Sequence, residues 1–370
     1  MTNGTELPQG TFRAPRVPFD LKCLILATGG YLVLFLVNQT LEGWWEEKSP
    51  IGQMVNLLAD EIGRIAFLGV GFERAMAGIW GLEPHGLTWW QSIVTCFLFF
   101  LVWAVFGGAI LRVASLRLTR DEPLSLRQAL AFGGRNLRAF LLAPVLVALF
   151  AAFFALCNVV AGLVLSVWGL GSSLLAIVLF PLVLVSSLFI ILAVVGGVFG
   201  LPLMWAGIAV EQNGALEALS RAFSYIFARP LQFFFGYFLV FVLMSIVLLV
   251  GNFFESTVKN TTQAGVWRTE FHDLISTSPN EDVDVLEQPY RGTETVQRKE
   301  KGITDVRNVR EARWYDTLGF LWMCGLINAF LLAFNGYALY LFLGGTASLY
   351  LQLRREVDGT EEEEIFLEAE

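Results

Sequence analysis

Between Arg138 and Glu211 the chain runs for 72 residues without one Asp, Glu, Lys or Arg. A helix needs only about 20 such residues to cross a bilayer. The 370-residue length would otherwise suggest two or three soluble domains, and this stretch excludes them. In lipid the backbone must satisfy its own hydrogen bonds. The pattern therefore predicts an all-α, polytopic membrane helix bundle. Six spans are expected at roughly 21–39, 90–114, 139–165, 181–210, 231–253 and 322–350. Ser166 to Ser173 forms the turn inside the charge-free stretch, and Pro181 marks a bend in the helix after it.

The net charge of −8 belongs to one segment. Residues 356–370 carry Glu356, Asp358, Glu361, Glu362, Glu363, Glu364, Glu368 and Glu370, with no Lys or Arg. The rest of the chain sums to zero. An acidic tail of this kind is expected to be disordered.

Lys and Arg in short connections set orientation. Arg13, Arg16 and Lys22 lie before or at the start of span one. The 112–138 connection holds Arg112, Arg117, Arg120, Arg127, Arg135 and Arg138. Arg221 and Arg229 lie between spans four and five, and Arg354 and Arg355 follow span six. The opposite side has Lys48, Arg64 and Arg74 and a long loop, 254–314, which counts weakly. Both termini are therefore expected in the cytoplasm, with the protein in the inner membrane. Span one ends without a small-residue cleavage site and is expected to remain as an anchor. Tryptophans at 44, 45, 80, 89, 90 and 314 fall near the outer boundaries, as in interfacial belts.

A shift of 93 residues aligns Gly107 with Gly200, Leu126 with Leu219, Ala129 with Ala222 and Phe140 with Phe233. The shared order is span, glycine, polar turn, amphipathic helix, span. Leu116-Arg117 resembles Leu353-Arg354 at a third exit. The simplest reading is three internal two-span repeats, the third interrupted by the polar loop. Helix 124–137 places Leu126, Ala129, Leu130 and Leu137 on its apolar face, with Ser125 and Gln128 at capping-box spacing. Helix 215–229 places Leu216, Leu219, Phe223, Ile226 and Phe227 on its own, with Asn213 as a cap. Both are expected in the cytoplasmic interface, with Arg127, Arg135, Arg138, Arg221 and Arg229 turned to lipid headgroups.

Outside the spans, 51–82 reads as a pair of outer interfacial or re-entrant helices. A seventh span over 65–82 would bury Glu73 and Arg74 at cost. Loop 254–314 has few large apolar residues and reads as a flexible insert, with an ordered cap as the alternative. The four cysteines form no CxxC pair and read as small buried hydrophobes.

No catalytic or cofactor motif appears. Glu270-Phe271-His272-Asp273 has no second histidine nearby and reads as a solvated loop rather than a metal site. No Walker loop, dinucleotide fingerprint or nucleophile elbow is present. The span cores hold no ionisable residue, the usual mark of an ion path. Their polar exceptions include Asn158, Asn328 and Asn335, which are the pathway candidates. An asparagine in a span more often bonds a neighbouring helix. Gly196 and Gly200 form GxxxG, read as close helix packing.

Gly200-Leu201-Pro202-Leu203-Met204-Trp205, then Glu211, then Ala218-Leu219-Ser220-Arg221-Ala222-Phe223-Ser224-Tyr225 and Arg229-Pro230-Leu231, resembles a family of uncharacterised planctomycete-type bacterial membrane proteins. The ending from Tyr350 to Glu361 is similar too, as is Ala129 to Pro144. More distantly, the helix before span five resembles the membrane domain fused to some glycerophosphodiester phosphodiesterases, whose catalytic part is absent here. The resemblance implies no established activity and supplies no catalytic residue.

Three functions compete. The first is a non-enzymatic scaffold or accessory protein with membrane lipids and membrane proteins as partners, without cofactor and without nucleic acid. The second is a small-solute transporter or channel built from the repeats. The weakest is an enzyme using Glu73, Arg74, His85, His272 and Asp273. Orientation is testable with single cysteines in intact cells. Ser278→Cys should react with an impermeant maleimide from outside and Ser125→Cys should not; labelling of the latter overturns the topology.

Overall fold

The computed structural model describes residues 20–46, 89–120, 122–167, 172–266, 296–300, 303–307 and 314–359. The described chain is helical apart from one hairpin. In order it contains α1 (Leu21–Glu46), α2 (Trp89–Thr119), α3 (Leu126–Arg135), α4 (Leu137–Val167), α5 (Ser172–Glu211), α6 (Ala215–Ala228), α7 (Pro230–Val266), β1 (Val296–Glu300), β2 (Ile303–Arg307) and α8 (Trp314–Asp358). A long helix stands at each of the six expected span positions. Among the described residues, five stretches are long and apolar enough to cross a bilayer: Trp90–Thr119, Leu137–Ser166, Ala176–Gly197, Pro230–Val258 and Ala329–Asp358. The apolar part of α1, Leu21–Val37, is shorter by that measure.

The charge-free stretch folds as two helices, α4 and α5, packed along each other. The break between them falls inside the expected turn. α5 is one 40-residue helix with Pro181 and Pro202 inside it. At about 1.5 Å per residue it is near 60 Å long, twice the hydrocarbon thickness. Only 11% of the most apolar window of α4, and 11% of that of α5, is buried by protein. Their remaining surface is Leu, Val, Ile and Phe, a composition that needs lipid around it.

Within 254–314 the described residues are the end of α7, a short hairpin and Trp314, where α8 begins. α7 continues to Val266, and β1 pairs antiparallel with β2 from Val296↔Arg307 to Glu300↔Ile303. The expected outer helices over 51–82 lie outside the described residues, as does the metal-like cluster around His272. Cys23 is buried, whereas Cys157 is exposed on α4, against the expectation for all four cysteines.

The chain forms two compact units. The first comprises the chain up to Gly30, Phe97–Ser245 and the chain from Tyr337 onward; the second comprises Tyr31–Cys96 and Ile246–Gly336. The core of the first unit rests on close approaches at small residues. A Cβ on Gly108 would stand 2.8 Å from the Phe140 ring, and one on Gly236 would stand 2.5 Å from Leu349.

The two short helices meet the expectation unequally. Ser125 and Gln128 form the capping box: Ser125 Oγ accepts the Gln128 amide at 3.3 Å, and Gln128 Oε1 accepts the Ser125 amide at 3.2 Å. In α6 the large apolar residues do not form the face against the bundle. Its buried residues are Ala215, Ala218, Ala222 and Tyr225, while Leu216 is 66% and Phe227 62% exposed. Phe223 and Ile226 sit at the flank, over Gly196 and Gly200 of α5. The GxxxG pair is therefore a groove for side chains of an interfacial helix. Asn213 does not cap α6, whose N-cap is Gly214; it donates to Glu211 instead.

The contact of α3 on α2 sets a sharp test. A Cβ on Gly133 would stand 2.2 Å from the Val105 carbonyl oxygen, whereas one on Gly134 meets nothing within 4 Å. Gly133→Ala should cost about 2–3 kcal/mol through overpacking against backbone. Gly134→Ala should stabilise by about 0.5–1 kcal/mol through helix propensity. Thermal unfolding in one detergent separates them, and equal melting points would show that α3 does not dock there.

A carboxylate and arginine network as the candidate functional site

Several helix termini of the first unit meet at one end. Trp205 Nε1 on α5 donates to the Phe140 carbonyl at the start of α4, at 3.0 Å. Arg112 Nη1 on α2 donates to the Ala209 carbonyl at the end of α5, at 2.9 Å, with its guanidinium 5.0 Å over the Phe132 ring of α3. Lys22 Nζ at the start of α1 donates to the Leu124 carbonyl at 2.8 Å. Arg112 thus supplies donors to carbonyls that the last turn of a helix leaves without partners.

Two buried carboxylates organise this end. Asp20 is 8% exposed. Its Oδ1 accepts the Lys22 amide at 2.9 Å, as an N-cap does, and its Oδ2 pairs with Arg117 Nε at 3.1 Å. Glu211, whose side chain is 6% exposed, ends α5. Its Oε2 meets Arg221 Nη1 of α6 at 2.6 Å and accepts from Asn213 Nδ2 at 2.6 Å. Its Oε1 accepts the Tyr350 hydroxyl at 2.6 Å and lies 2.9 Å from Arg354 Nη1, both of α8. The Arg354 contact is an ion pair without hydrogen-bond alignment, and its Nε finds no acceptor among the described residues.

Backbone geometry places Glu211 there. Gln212 has φ +59, a left-handed conformation that stops α5 and turns the chain toward α6. Arg221 then bridges Glu211 and, at 2.7 Å, Glu217 one turn earlier on α6. Burial by itself would lower the Arg221 pKa, but Glu211 and Glu217 outweigh it and hold the guanidinium above its ordinary value. Tyr225 donates its hydroxyl to Asp358 at the end of α8. Burial first, and then that bond, raise the phenol above its ordinary range. α5, α6 and α8 are thereby tied at one point.

The candidate residues from the sequence separate into groups. Arg127, Arg135, Arg138 and Arg229 are exposed and make no ion pair among the described residues. Arg355 is like them. Arg221, expected to face headgroups, is held by carboxylates. Asn158 in α4 donates to Ser187 Oγ of α5 at 3.2 Å and accepts the Ser186 hydroxyl, so its amide joins the two helices. Asn335 is 9% exposed within α8. Asn328 lies on α8 too, but its side chain is outside the described part. Sequence reading singled out neither Asp20 nor Glu211 for a role. The available signal was position: each is a lone carboxylate at the edge of an apolar run, opposite arginines in excess.

The class that follows is an integral, multi-pass, helical membrane protein with an ion-paired polar end. Comparison with family models, with curated proteins and with solved structures finds no match.

Removing one partner from a buried pair strands the other, at a cost of about 3–5 kcal/mol, whereas an exposed pair contributes under about 1 kcal/mol. Glu211→Gln should therefore lower stability by about 3 kcal/mol and Glu217→Gln by less than about 1 kcal/mol. Unfolding in detergent measures both. An unchanged Glu211→Gln protein would remove Glu211 from the centre of the network.

Proposed function

We propose that this chain is a non-enzymatic, lipid-associated scaffold or accessory protein of a bacterial inner membrane, with both termini in the cytoplasm. The observation that carries this reading is the division of arginines at the polar end. Four are engaged inside the protein: Arg112 by carbonyls, Arg117 by Asp20, Arg354 by Glu211, and Arg221 by Glu211 and Glu217. Five others, Arg127, Arg135, Arg138, Arg229 and Arg355, are exposed and unpaired among the described residues. Exposed Leu216 and Phe227 lie on α6 and exposed Leu231 on α7, the two helices that Arg229 joins. A surface with apolar side chains and unneutralised arginines suits the interface of an anionic leaflet.

Other features support it. The bonding of Asn158 by Ser186 and Ser187 favours packing over a solute path at that residue. The helix ends gathered at this end include the start of α1 and the ends of α2, α5 and α8, which accords with every exit emerging on one side. The duplication has support in matched burial: Ala129 and Ala222 are both fully buried, as are Phe140 and Phe233. Arg117 and Arg354, aligned as equivalent, both pair with a buried carboxylate. The resemblance to planctomycete-type membrane proteins is in keeping with this reading.

Native mass spectrometry of the delipidated protein tests it. Phosphatidylglycerol should bind more tightly than phosphatidylcholine, by several-fold. Replacing Arg127, Arg135, Arg138 and Arg229 with Gln should erase the difference while leaving stability within about 0.5 kcal/mol, as for surface changes generally. Equal binding of the two lipids by the unaltered protein would overturn the proposal.

A further inference from the structure

The unpaired arginines have a second candidate anion on the same chain. The described residues of the first unit carry eleven basic side chains and six carboxylates. Five positive charges are therefore left over, equal in number to the exposed arginines. The chain leaves this surface at the end of α8. Tyr225 of α6 holds Asp358, Arg229 follows Tyr225 by one turn, and its amide donates to the Tyr225 carbonyl at 3.1 Å. Gly359 then takes φ +70, which ends α8. The eleven residues beyond carry Glu361, Glu362, Glu363, Glu364, Glu368 and Glu370 and no basic side chain. Extended, they span about 35 Å.

We propose that the exposed arginines Arg127, Arg135, Arg138, Arg229 and Arg355 are docking sites for the acidic C-terminal segment 360–370 of the same chain. This rests on the reading that anionic lipid uses those arginines, and it adds a regulation of that site. Six carboxylates on the same chain compete with lipid phosphates for five arginines. Tethering gives the segment a high effective concentration. An anionic leaflet both occupies the arginines and repels the segment. The protein then meets neutral lipid with its arginines screened by its own chain, and meets anionic lipid with them released. The attraction acts between exposed charges, so salt weakens it over a Debye length of about 8 Å at physiological ionic strength.

A glutamate-specific protease reads docking directly, because Glu361 to Glu364 are its sites. The full-length protein in neutral detergent is digested, with cleavage in the polar loop, at Glu281 or Glu287, as internal reference. Three changes should each speed loss of the tail several-fold: the four-arginine Gln variant, 1 M salt, and added phosphatidylglycerol; phosphatidylcholine should not. Tail cleavage at one rate in the variant, in high salt and in the unaltered protein would overturn the docking. Acceleration by the variant and by salt but not by phosphatidylglycerol would keep the docking and overturn its competition with lipid. Phosphatidylglycerol preference in native mass spectrometry together with an unaltered cleavage rate would overturn the docking and keep the lipid reading.

Discussion

A charge removed from water must be paired or it destabilises the fold, and that constraint governs the polar end of this bundle. Glu211 closes α5 and is the first charge after a stretch of 72 residues without one. Its carboxylate is nearly inaccessible, so it must be met by donors from elsewhere, and it is met by α6 and α8 together. Asp20 does the corresponding work at the start of α1, as N-cap and as partner of Arg117. Remove these two groups and four long helices, α1, α2, α5 and α8, lose contacts that bring their ends together. Hydrophobic burial cannot replace them, because lipid is as good a surrounding for leucine as another helix is. Polar contacts and close steric fit then decide how the helices associate.

The same physics explains α6. An interfacial helix faces protein, lipid and water at once, so its residues sort three ways. Alanines and Tyr225 face the bundle, where small side chains allow close approach. Phe223 and Ile226 fill the groove at Gly196 and Gly200. Leu216 and Phe227 are left outward, on the same helix as the Arg221 bridge. In a soluble protein large apolar residues would have taken the buried face. Membrane interiors reward small residues at contacts and tolerate large ones outside, which inverts the usual reading of a helical wheel.

Much of the architecture was legible from local chemistry. The six helix positions followed from runs of apolar residues, the α4–α5 break from a Gly- and Ser-containing turn, and the α3 start from the Ser125 and Gln128 spacing. These features depend on residues near one another in sequence. Asn213 misled because a good capping residue also donates well to a carboxylate two positions away, and Glu211 was the stronger acceptor. The arginines misled in part for a related reason. Arg221 and Arg229 look alike as interfacial cations, and only the placement of Glu211 tells them apart. Glu211 is paired with Arg354 across 143 residues, and no local pattern announces a contact at that separation.

By itself, then, the sequence determined that this chain lives in a bilayer, where its helices begin and end, and how much charge lies at each connection. Those outcomes follow from the cost of exposing backbone or burying charge in lipid, which is paid residue by residue. Only the tertiary structure decided which charges are consumed inside the protein and which remain outside. That division depends on which helix ends meet, and it separates Arg117, Arg221 and Arg354, each held by a carboxylate, from the five arginines left facing outward.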